Sequence, residues 1–175
     1  MFASPNVILE RIPIPRGGRV ADFGTGSGHF AKALADRVGP GGKVYAFDAF
    51  APTLDMVSKE LAVCEGTDCF TLHADFNEEL PLKNNLLQFA VVANTLHAIQ
   101  NRSRFLSELS RVIEPLGRVL CVDWSASFKN MGPRTEDALT PSEAVRLFKS
   151  QGFSTGPMLP AGSHHYAFLA TAHTL

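Results

Sequence analysis

The chain has 175 residues, of which 45% are hydrophobic and 19% are charged, and its formal net charge is −1. Its mean hydropathy of +0.04 is that of a globular protein, which excludes an intrinsically disordered chain. Lysine and arginine do not cluster, so a nucleic-acid partner is not expected. Because no apolar run reaches the about 20 residues that span a bilayer, we expect no membrane insertion.

The length predicts one domain over residues 1–175, large enough to enclose a hydrophobic core. The first six residues have neither the basic start nor the apolar core of a signal peptide. The three cysteines, Cys64, Cys69 and Cys121, are an odd and scattered set without the spacing of metal ligands. We therefore predict reduced thiols and a cytoplasmic location.

Strands and helices alternate along the chain. The first five predicted strands are Val20–Phe23, Lys43–Phe47, Phe70–Ala74, Phe89–Ala93 and Arg118–Asp123. Apolar residues at helical spacing predict helices between them, at Phe30–Val38, Leu54–Leu61 and Phe105–Ile113. Alternation of this kind is typical of a parallel sheet with helices on both faces.

The last part of the chain predicts one more helix and two strands. A turn at Pro115–Gly117 precedes the fifth strand, and Thr140–Glu143 has the capping-box pattern that begins a helix. Gly152 marks the end of that helix, and strands follow at Ser154–Leu159 and Tyr166–Ala172. We predict an α/β fold: a Rossmann-like, doubly wound, seven-stranded sheet that is mostly parallel with an antiparallel C-terminal strand.

A glycine-rich turn follows the first predicted strand. Gly24, Gly26 and Gly28 let the main chain bend sharply and approach a bound molecule, and Asp22 just before them can accept a hydrogen bond. The helix that begins after Gly28 points its free N–H groups toward the same space. The pattern predicts a nucleotide-type cofactor site, although a plain tight turn is an alternative.

The spacing of the glycines favours one cofactor class over another. A dinucleotide fold prefers a third glycine where His29 stands here, so a nicotinamide-dependent oxidoreductase is the less favoured interpretation. Asp48 lies twenty positions after Gly28, the distance expected for a carboxylate that binds two ribose hydroxyls, with a helix cap as the alternative. Phe50 is a candidate wall for an adenine ring or a core residue.

A third acidic residue, Asp75, follows the third predicted strand. Its carboxylate can accept from the exocyclic amine of adenine, and the N–H of Phe76 can reach a ring nitrogen. A loop cap is the alternative for Asp75. Because ligands sit beyond the carboxyl ends of the strands in an open α/β sheet, we predict that the three acidic residues share one ligand.

Five segments together resemble the class I S-adenosylmethionine (SAM)-dependent methyltransferases: Ala21–Gly28, Tyr45–Asp48, Ala74–Phe76, Val91–Ile99 and Leu109–Arg118. The fourth segment in this order is similar to the branch that contains the ubiquinone/menaquinone-biosynthesis and arsenite methyltransferases, the type 11 domain. The resemblance covers roughly residues 18–124. The tail from Pro141 suits the last helix and final strand pair of the class I methyltransferase fold.

The resemblance implies SAM as the cofactor and S-adenosylhomocysteine as its product. Asp22 and the glycines would line the methionine part, Asp48 the ribose, and Asp75 with Phe76 the adenine. The implied cofactor-binding residues are Asp22, Gly24, Thr25, Gly26, Gly28, Asp48, Ala49, Asp75, Phe76 and Asn94. No metal is expected, because the adjacent His164 and His165 point to opposite sides of a strand.

The acceptor side contains one candidate catalytic residue. His97 follows the fourth strand and is the candidate general base, with a packed histidine as the alternative. Asp123 and Trp124 are candidates to face the acceptor. The methyl acceptor itself is not identified by the sequence, and we predict a small molecule, with a catalytically silent SAM-binding module or partner subunit as the alternative function.

The resemblance also limits the acceptors. Asn94–His97 lacks the two prolines of the methyltransferases that modify nucleobase amines, and the cysteines are poorly arranged for arsenic. Two departures, at Gln88–Ala90 and Pro115–Gly117, weaken assignment to any one branch. The connection after the fifth strand is brief, so we predict an open acceptor cleft that a homodimer partner or a large molecule closes.

Overall fold

Seven strands form one sheet in the computed structural model, which describes residues 4–128 and 131–173. The strands are β1 Arg19–Phe23, β2 Lys43–Asp48, β3 Asp68–His73, β4 Leu87–Ala93, β5 Ile113–Trp124, β6 Phe153–Leu159 and β7 His165–Ala172. The helices are α1 Pro5–Leu9, α2 His29–Val38, α3 Ala51–Leu61, α4 Arg102–Val112 and α5 Pro141–Ser150, with a 3₁₀ turn at Leu96–Ala98.

The strand order is β3-β2-β1-β4-β5-β7-β6. The first five strands are parallel, and β7 is antiparallel to both of its neighbours, β5 and β6. The predicted fold class is therefore confirmed. Because the strand order reverses between β1 and β4, their carboxyl ends border a crevice of the kind in which open α/β sheets bind ligands.

The core lies on both faces of this sheet. Neighbouring residues of β4 alternate between two apolar clusters: Ala90 and Val92 belong to one, and Phe89 and Val91 to the other. A strand covered on both faces has a continuous apolar sequence, which explains the run at Phe89–Ala93. Among the described helices, none is long and apolar enough to cross a membrane.

Each strand differs from the sequence prediction at one boundary or both, mostly by one or two residues, and the differences at β3 and β5 affect predicted motifs. β3 begins at Asp68 and ends at His73, so Ala74 lies outside it. β5 begins at Ile113, and the turn predicted at Pro115–Gly117 is an irregularity inside that strand. Leu116 has a positive φ of 65° there and its side chain is exposed, because the strand bulges away from β4 while keeping its register further on.

The capping box predicted at the start of the last helix is present. The Thr140 hydroxyl accepts from the Glu143 backbone N–H, and the Glu143 carboxylate accepts from the Thr140 backbone N–H. Two elements were not predicted: α1, which packs on α2, and the 3₁₀ turn after β4. Both lie at the crevice, and both contribute to the site described next.

Candidate functional site

Backbone hydrogen bonds hold the glycine loop after β1 against the neighbouring strand β2. The N–H groups of Gly24 and Thr25 both donate to the Phe47 carbonyl, at 2.9 and 2.8 Å. Gly24 has a φ of 77°, and a Cβ at this position would lie 2.0 Å from Thr95 Oγ1. Only glycine fits this close approach, whereas a Cβ at Gly26 would meet no atom of the described residues within 4 Å.

A cavity of about 670 Å³ opens beside this loop. Its volume is within the about 300–1,000 Å³ that is usual for small-molecule sites. Five of the predicted cofactor residues line it, namely Asp22, Gly24, Thr25, Gly26 and Asn94. The rest of the wall comes from the N-terminal segment, the loop and α2: Ser4, Pro5, Asn6, Ser27, His29, Phe30, Lys32, Ala33 and Asp36, with Ala93 of β4.

Asp22 is the buried charge of this cavity. It is 1% exposed, and among the described residues neither carboxylate oxygen has a hydrogen-bond partner. Burial raises the pKa of Asp22 from 3.8 to about 7, while the nearby Thr25 hydroxyl and Ala31 N–H oppose that rise without completing a bond. The Thr25 hydroxyl is likewise buried without a partner. Such groups are costly unless a ligand satisfies them, so the cavity suits a molecule with a cationic group.

Asn94 closes the cavity at the end of β4. Its φ of 54° lies in the left-handed region, which asparagine tolerates better than most side chains. Its backbone N–H donates to the Val122 carbonyl at 2.8 Å, so the turn is fixed to β5.

Asp48 connects the glycine loop to the loop after β2. Its Oδ2 accepts from the Gly26 N–H and its Oδ1 from the Phe50 N–H, both at 2.9 Å. Phe50 is the N-cap residue of α3, so its bond to Asp48 lies at the start of the helix, although no side chain of the described residues makes a cap hydrogen bond to α3 itself. A carboxylate has about four acceptor positions, so each oxygen can still accept from a ligand hydroxyl. Phe50 is 65% exposed, which excludes the core role considered for it.

The ends of β2 and β3 are joined to each other. The Ala74 N–H donates to the Asp48 carbonyl at 3.1 Å, and His73 Nε2 lies 3.1 Å from the Ala49 carbonyl. Asp75 follows directly and is exposed. Its Oδ1 accepts from the backbone and side-chain nitrogens of Asn77, and these bonds lower the pKa of Asp75.

Five predicted cofactor residues lie outside the cavity wall: Gly28, Asp48, Ala49, Asp75 and Phe76. Gly28 is instead packed against α3, where a Cβ would lie 3.2 Å from Val57. The Phe76 side chain is buried, with its ring 6.2 Å from that of Phe23 and 5.4 Å from that of Phe105. Asp48, Ala49 and Asp75 line the same edge of the sheet as the cavity but do not enclose it.

His97 and Asp123 form a pair at the ends of β4 and β5. His97 Nδ1 lies 2.7 Å from Asp123 Oδ1, and the His97 backbone N–H donates to Asp123 Oδ2 at 3.0 Å. Asp123 is 1% exposed, whereas the His97 side chain is 16% exposed. Since a carboxylate oxygen accepts, Nδ1 carries the hydrogen and Nε2 is the basic nitrogen of the neutral ring. The ring is bonded to the Asp123 carboxylate instead of a backbone group, and its low exposure also fits the alternative of a packed histidine.

Arg102 of α4 holds the 3₁₀ turn from the other side. Its guanidinium donates to the carbonyls of Leu96 and His97, at 3.1 and 2.7 Å, and to that of Asp137 at 3.3 Å. His97 is therefore fixed at its N–H, its ring and its carbonyl. This makes the orientation of the ring a property of the fold rather than of a bound ligand.

Trp124 is half-buried at the end of β5 and packs against two neighbouring segments. A Cβ at Gly132 would lie 2.8 Å from the Trp124 indole, so the connection after β5 packs on that ring. The His165 ring lies 4.3 Å from it, between ring centres. These contacts favour the core-edge role for Trp124 over a wall for the acceptor.

Four contributions to the site were not predicted. They are Thr95 against the glycine loop, Asp123 as partner of His97, Arg102 as support for the turn, and the wall formed by Ser4–Asn6. Of these four, only the contact of Asp123 with His97 could have been predicted from the sequence. Polar residues follow β4 directly and Asp123 lies near the end of β5, and the ends of parallel neighbours lie side by side.

Comparison with known proteins identifies the domain type. A family model described as "Methyltransferase domain" matches residues 21–121. A demethylmenaquinone methyltransferase from Anoxybacillus flavithermus is 28% identical over 117 residues, which are 67% of this chain and 49% of that protein. A ubiquinone/menaquinone biosynthesis C-methyltransferase from Bordetella parapertussis is 30% identical over 125 residues, 71% of this chain and 48% of that protein. The chain spans about half the length of these relatives.

A solved structure is similar over nearly the whole chain. A SAM-dependent methyltransferase from Aquifex aeolicus has a TM-score of 0.87 and 26% identity, and the match covers 97% of this chain and 90% of that one. The resemblance inferred from the five sequence segments is confirmed by these matches.

The burial of Asp22 predicts how stability depends on pH without cofactor. The folded protein holds the Asp22 proton more tightly than the unfolded chain, so the contribution of Asp22 to stability falls as pH rises from about 4 to about 7 and then levels. The rise of about three pKa units corresponds to about 4 kcal/mol at most. We expect Asp22→Asn to increase the free energy of unfolding at pH 8, and to flatten its pH dependence, in urea titrations.

Asp75→Asn is the matched control, because Asp75 is exposed and its pKa is lowered instead of raised. It should leave the fall in stability between pH 4 and 7 intact. A wild-type pH dependence in Asp22→Asn would contradict the assignment of that fall to the buried carboxylate.

Proposed function

Because the chain belongs to the methyltransferase-domain family of SAM-dependent methyltransferases, we propose that it binds SAM at the Asp22 cavity and transfers the methyl group to a small-molecule acceptor. S-adenosylhomocysteine would be the product. The observation that carries this proposal is the buried Asp22 carboxylate, which has no hydrogen-bond partner in the described part of the chain and lies in a cavity bordered by the glycine loop. The methionine ammonium of SAM is a cation of the kind that this carboxylate requires.

The methionine part would lie along the glycine loop. Gly26 leaves open space, and the buried Thr25 hydroxyl can donate or accept a hydrogen bond there. Asn94 would close the site beside the sulfonium, because its turn lines the same cavity at the end of β4. Gly28 would act indirectly, by letting α2 pack on α3 and so fixing where the loop ends.

The adenosine part would lie across the ends of β2 and β3. Asp48 has spare acceptor positions for the ribose hydroxyls, next to Ala49. Asp75 would accept from the adenine amine beside the backbone of Phe76, and the exposed Phe50 ring offers an apolar wall. The hydrogen bonds between the two strand ends support a shared role, because they fix Asp48 and Asp75 relative to each other.

When bound, SAM supplies an activated methyl group, and the task of the protein is to align the acceptor with it. We propose His97 as the general base for an acceptor that must lose a proton, such as a hydroxyl or an acidic carbon. Asp123 supports this role, since it holds the ring through Nδ1 and leaves Nε2 to take the proton. Relatives named for quinone methylation make a quinone precursor the first acceptor to test.

Three further expectations belong to the same proposal. That residues 1–175 form one domain stays a prediction. It is likewise a prediction that a second copy of the chain closes the acceptor cleft. A cytoplasmic location is supported by the three free thiols of Cys64, Cys69 and Cys121.

Calorimetry with the wild-type protein tests the cofactor. We expect SAM and S-adenosylhomocysteine to bind and NAD to give no heat. Affinity for SAM should rise as pH increases from 6 to 8, because the ionised Asp22 binds the ammonium and its pKa is about 7. Asp22→Asn should weaken binding by about ten- to a hundredfold, as expected for the loss of a charge-assisted hydrogen bond, and should abolish this pH dependence. Absence of binding by both sulfur nucleosides would overturn the proposal.

A radiolabelled-methyl assay tests the base, using phenol, quinone-precursor, carboxyl and thiol acceptors. With an acceptor that loses a proton, His97→Ala should lower kcat by about 10²- to 10⁴-fold and leave S-adenosylhomocysteine affinity unchanged. Asp123→Asn should lower kcat through the orientation of the ring. Full turnover by His97→Ala would dismiss the base role, and labelling of no acceptor by the wild type would favour a silent SAM-binding module.

A further inference from the structure

We propose that Arg37 is a positioning residue of the cofactor site, which holds the wall Ser4–Asn6 in place and slows release of the cofactor. This inference rests on the proposed function, because it assumes that the Asp22 cavity holds SAM. Arg37 and the wall Ser4–Asn6 are far apart in sequence. Neither lies in the five segments that resemble the methyltransferases, so this contact adds to the site a connection that those segments do not contain.

The wall Ser4–Asn6 comes from the start of the chain. All three of its residues line the cavity that also contains Asp22 and the glycine loop. The five-residue helix α1 begins at Pro5 within this wall. Helices of this length are not stable alone, so the position of the wall depends on contacts with the rest of the protein.

Two kinds of contact hold this segment. Ile8, Leu9 and Ile12 are buried in the apolar cluster that also contains residues of α2. These anchors lie beyond the wall in sequence, so they fix the far end of α1. Among the described residues, Ser4–Asn6 themselves are not part of this apolar cluster.

Arg37 supplies the contact at the wall itself. Its Nη1 donates to Asn6 Oδ1 at 2.8 Å, and its Nη2 donates to the Asn6 carbonyl at 3.1 Å. Nη1 also donates to the Ala33 carbonyl at 2.9 Å, one turn earlier on α2. Asn6 and Ala33 both line the cavity, so one guanidinium joins two parts of its wall. The planar fork of arginine allows these bonds at once, which lysine cannot reproduce.

The release rate of the cofactor tests this role. Tritiated SAM would be bound to the full chain, diluted into excess unlabelled SAM, and followed by rapid filtration. Arg37→Ala should release it about tenfold faster, the rate change that about 1.4 kcal/mol produces. Arg37→Lys should give an intermediate rate. Asn6→Ala should also speed release, by less, because the backbone carbonyl of Asn6 remains to accept from Arg37.

A double variant separates this role from general destabilisation. If Arg37 acts through Asn6, Asn6→Ala should add little to the release rate of Arg37→Ala. Lys43→Ala is the matched control, since Lys43 forms an exposed ion pair with Asp68 at the opposite end of β2. It should release SAM at the wild-type rate.

Several outcomes overturn the proposal: wild-type release by Arg37→Ala, fully additive effects in the double variant, or equally fast release by Lys43→Ala. If Arg37→Ala fails to fold, Asn6→Ala replaces it as the test, because Asn6 is exposed and its substitution does not disturb the core. Release of SAM at the wild-type rate by Asn6→Ala would then overturn the proposal. A wild-type protein that binds no SAM contradicts the proposed function itself.

Discussion

The carboxylate of Asp22 lies at the end of β1 with almost no contact with solvent and no hydrogen-bond donor of good geometry among the described residues. Its burial follows from the fold, because β1 lies inside the sheet between β2 and β4, and the glycine loop that follows it packs against Thr95. The folded protein tolerates this unfavourable group because two apolar clusters stabilise the sheet around it. Local instability is thus concentrated where a cationic ligand would relieve it, which is typical of binding sites.

The same arrangement of strands explains why a second pair of polar side chains, His97 and Asp123, lies at the same edge of the sheet. Parallel strands bring their carboxyl ends to one edge, so the residues after β4 and β5 are neighbours although they are distant in sequence. His97 is fixed through Asp123 on one side and Arg102 on the other. A cofactor cavity and a preorganised histidine therefore result from one topology, and neither requires a long insertion.

Much of this could be predicted because it depends on local patterns. Apolar periodicity located the strands, and the rule that ligands sit at strand ends drew attention to the acidic residues at or just after the ends of β1, β2 and β3. The contact of Thr95 with Gly24 could not be predicted, since it depends on how closely two loops pack. The link from Arg37 to Asn6 has no local signal, because the two residues are 31 positions apart. The start of β5 was misplaced because proline and glycine usually end a strand, and here they form a bulge.

The position of β7 has a consequence for the order in which the protein is assembled during synthesis. Residues 165–171 pair with Arg118–Trp124, so the strand that carries Asp123 keeps one open edge until this late segment leaves the ribosome. The glycine loop, β2 and β4 can pair earlier, because their partners precede them or follow closely. A nascent chain would then form the cavity before the strand bearing the histidine's partner is enclosed, and its unpaired edge would be exposed to wrong pairing in the interval.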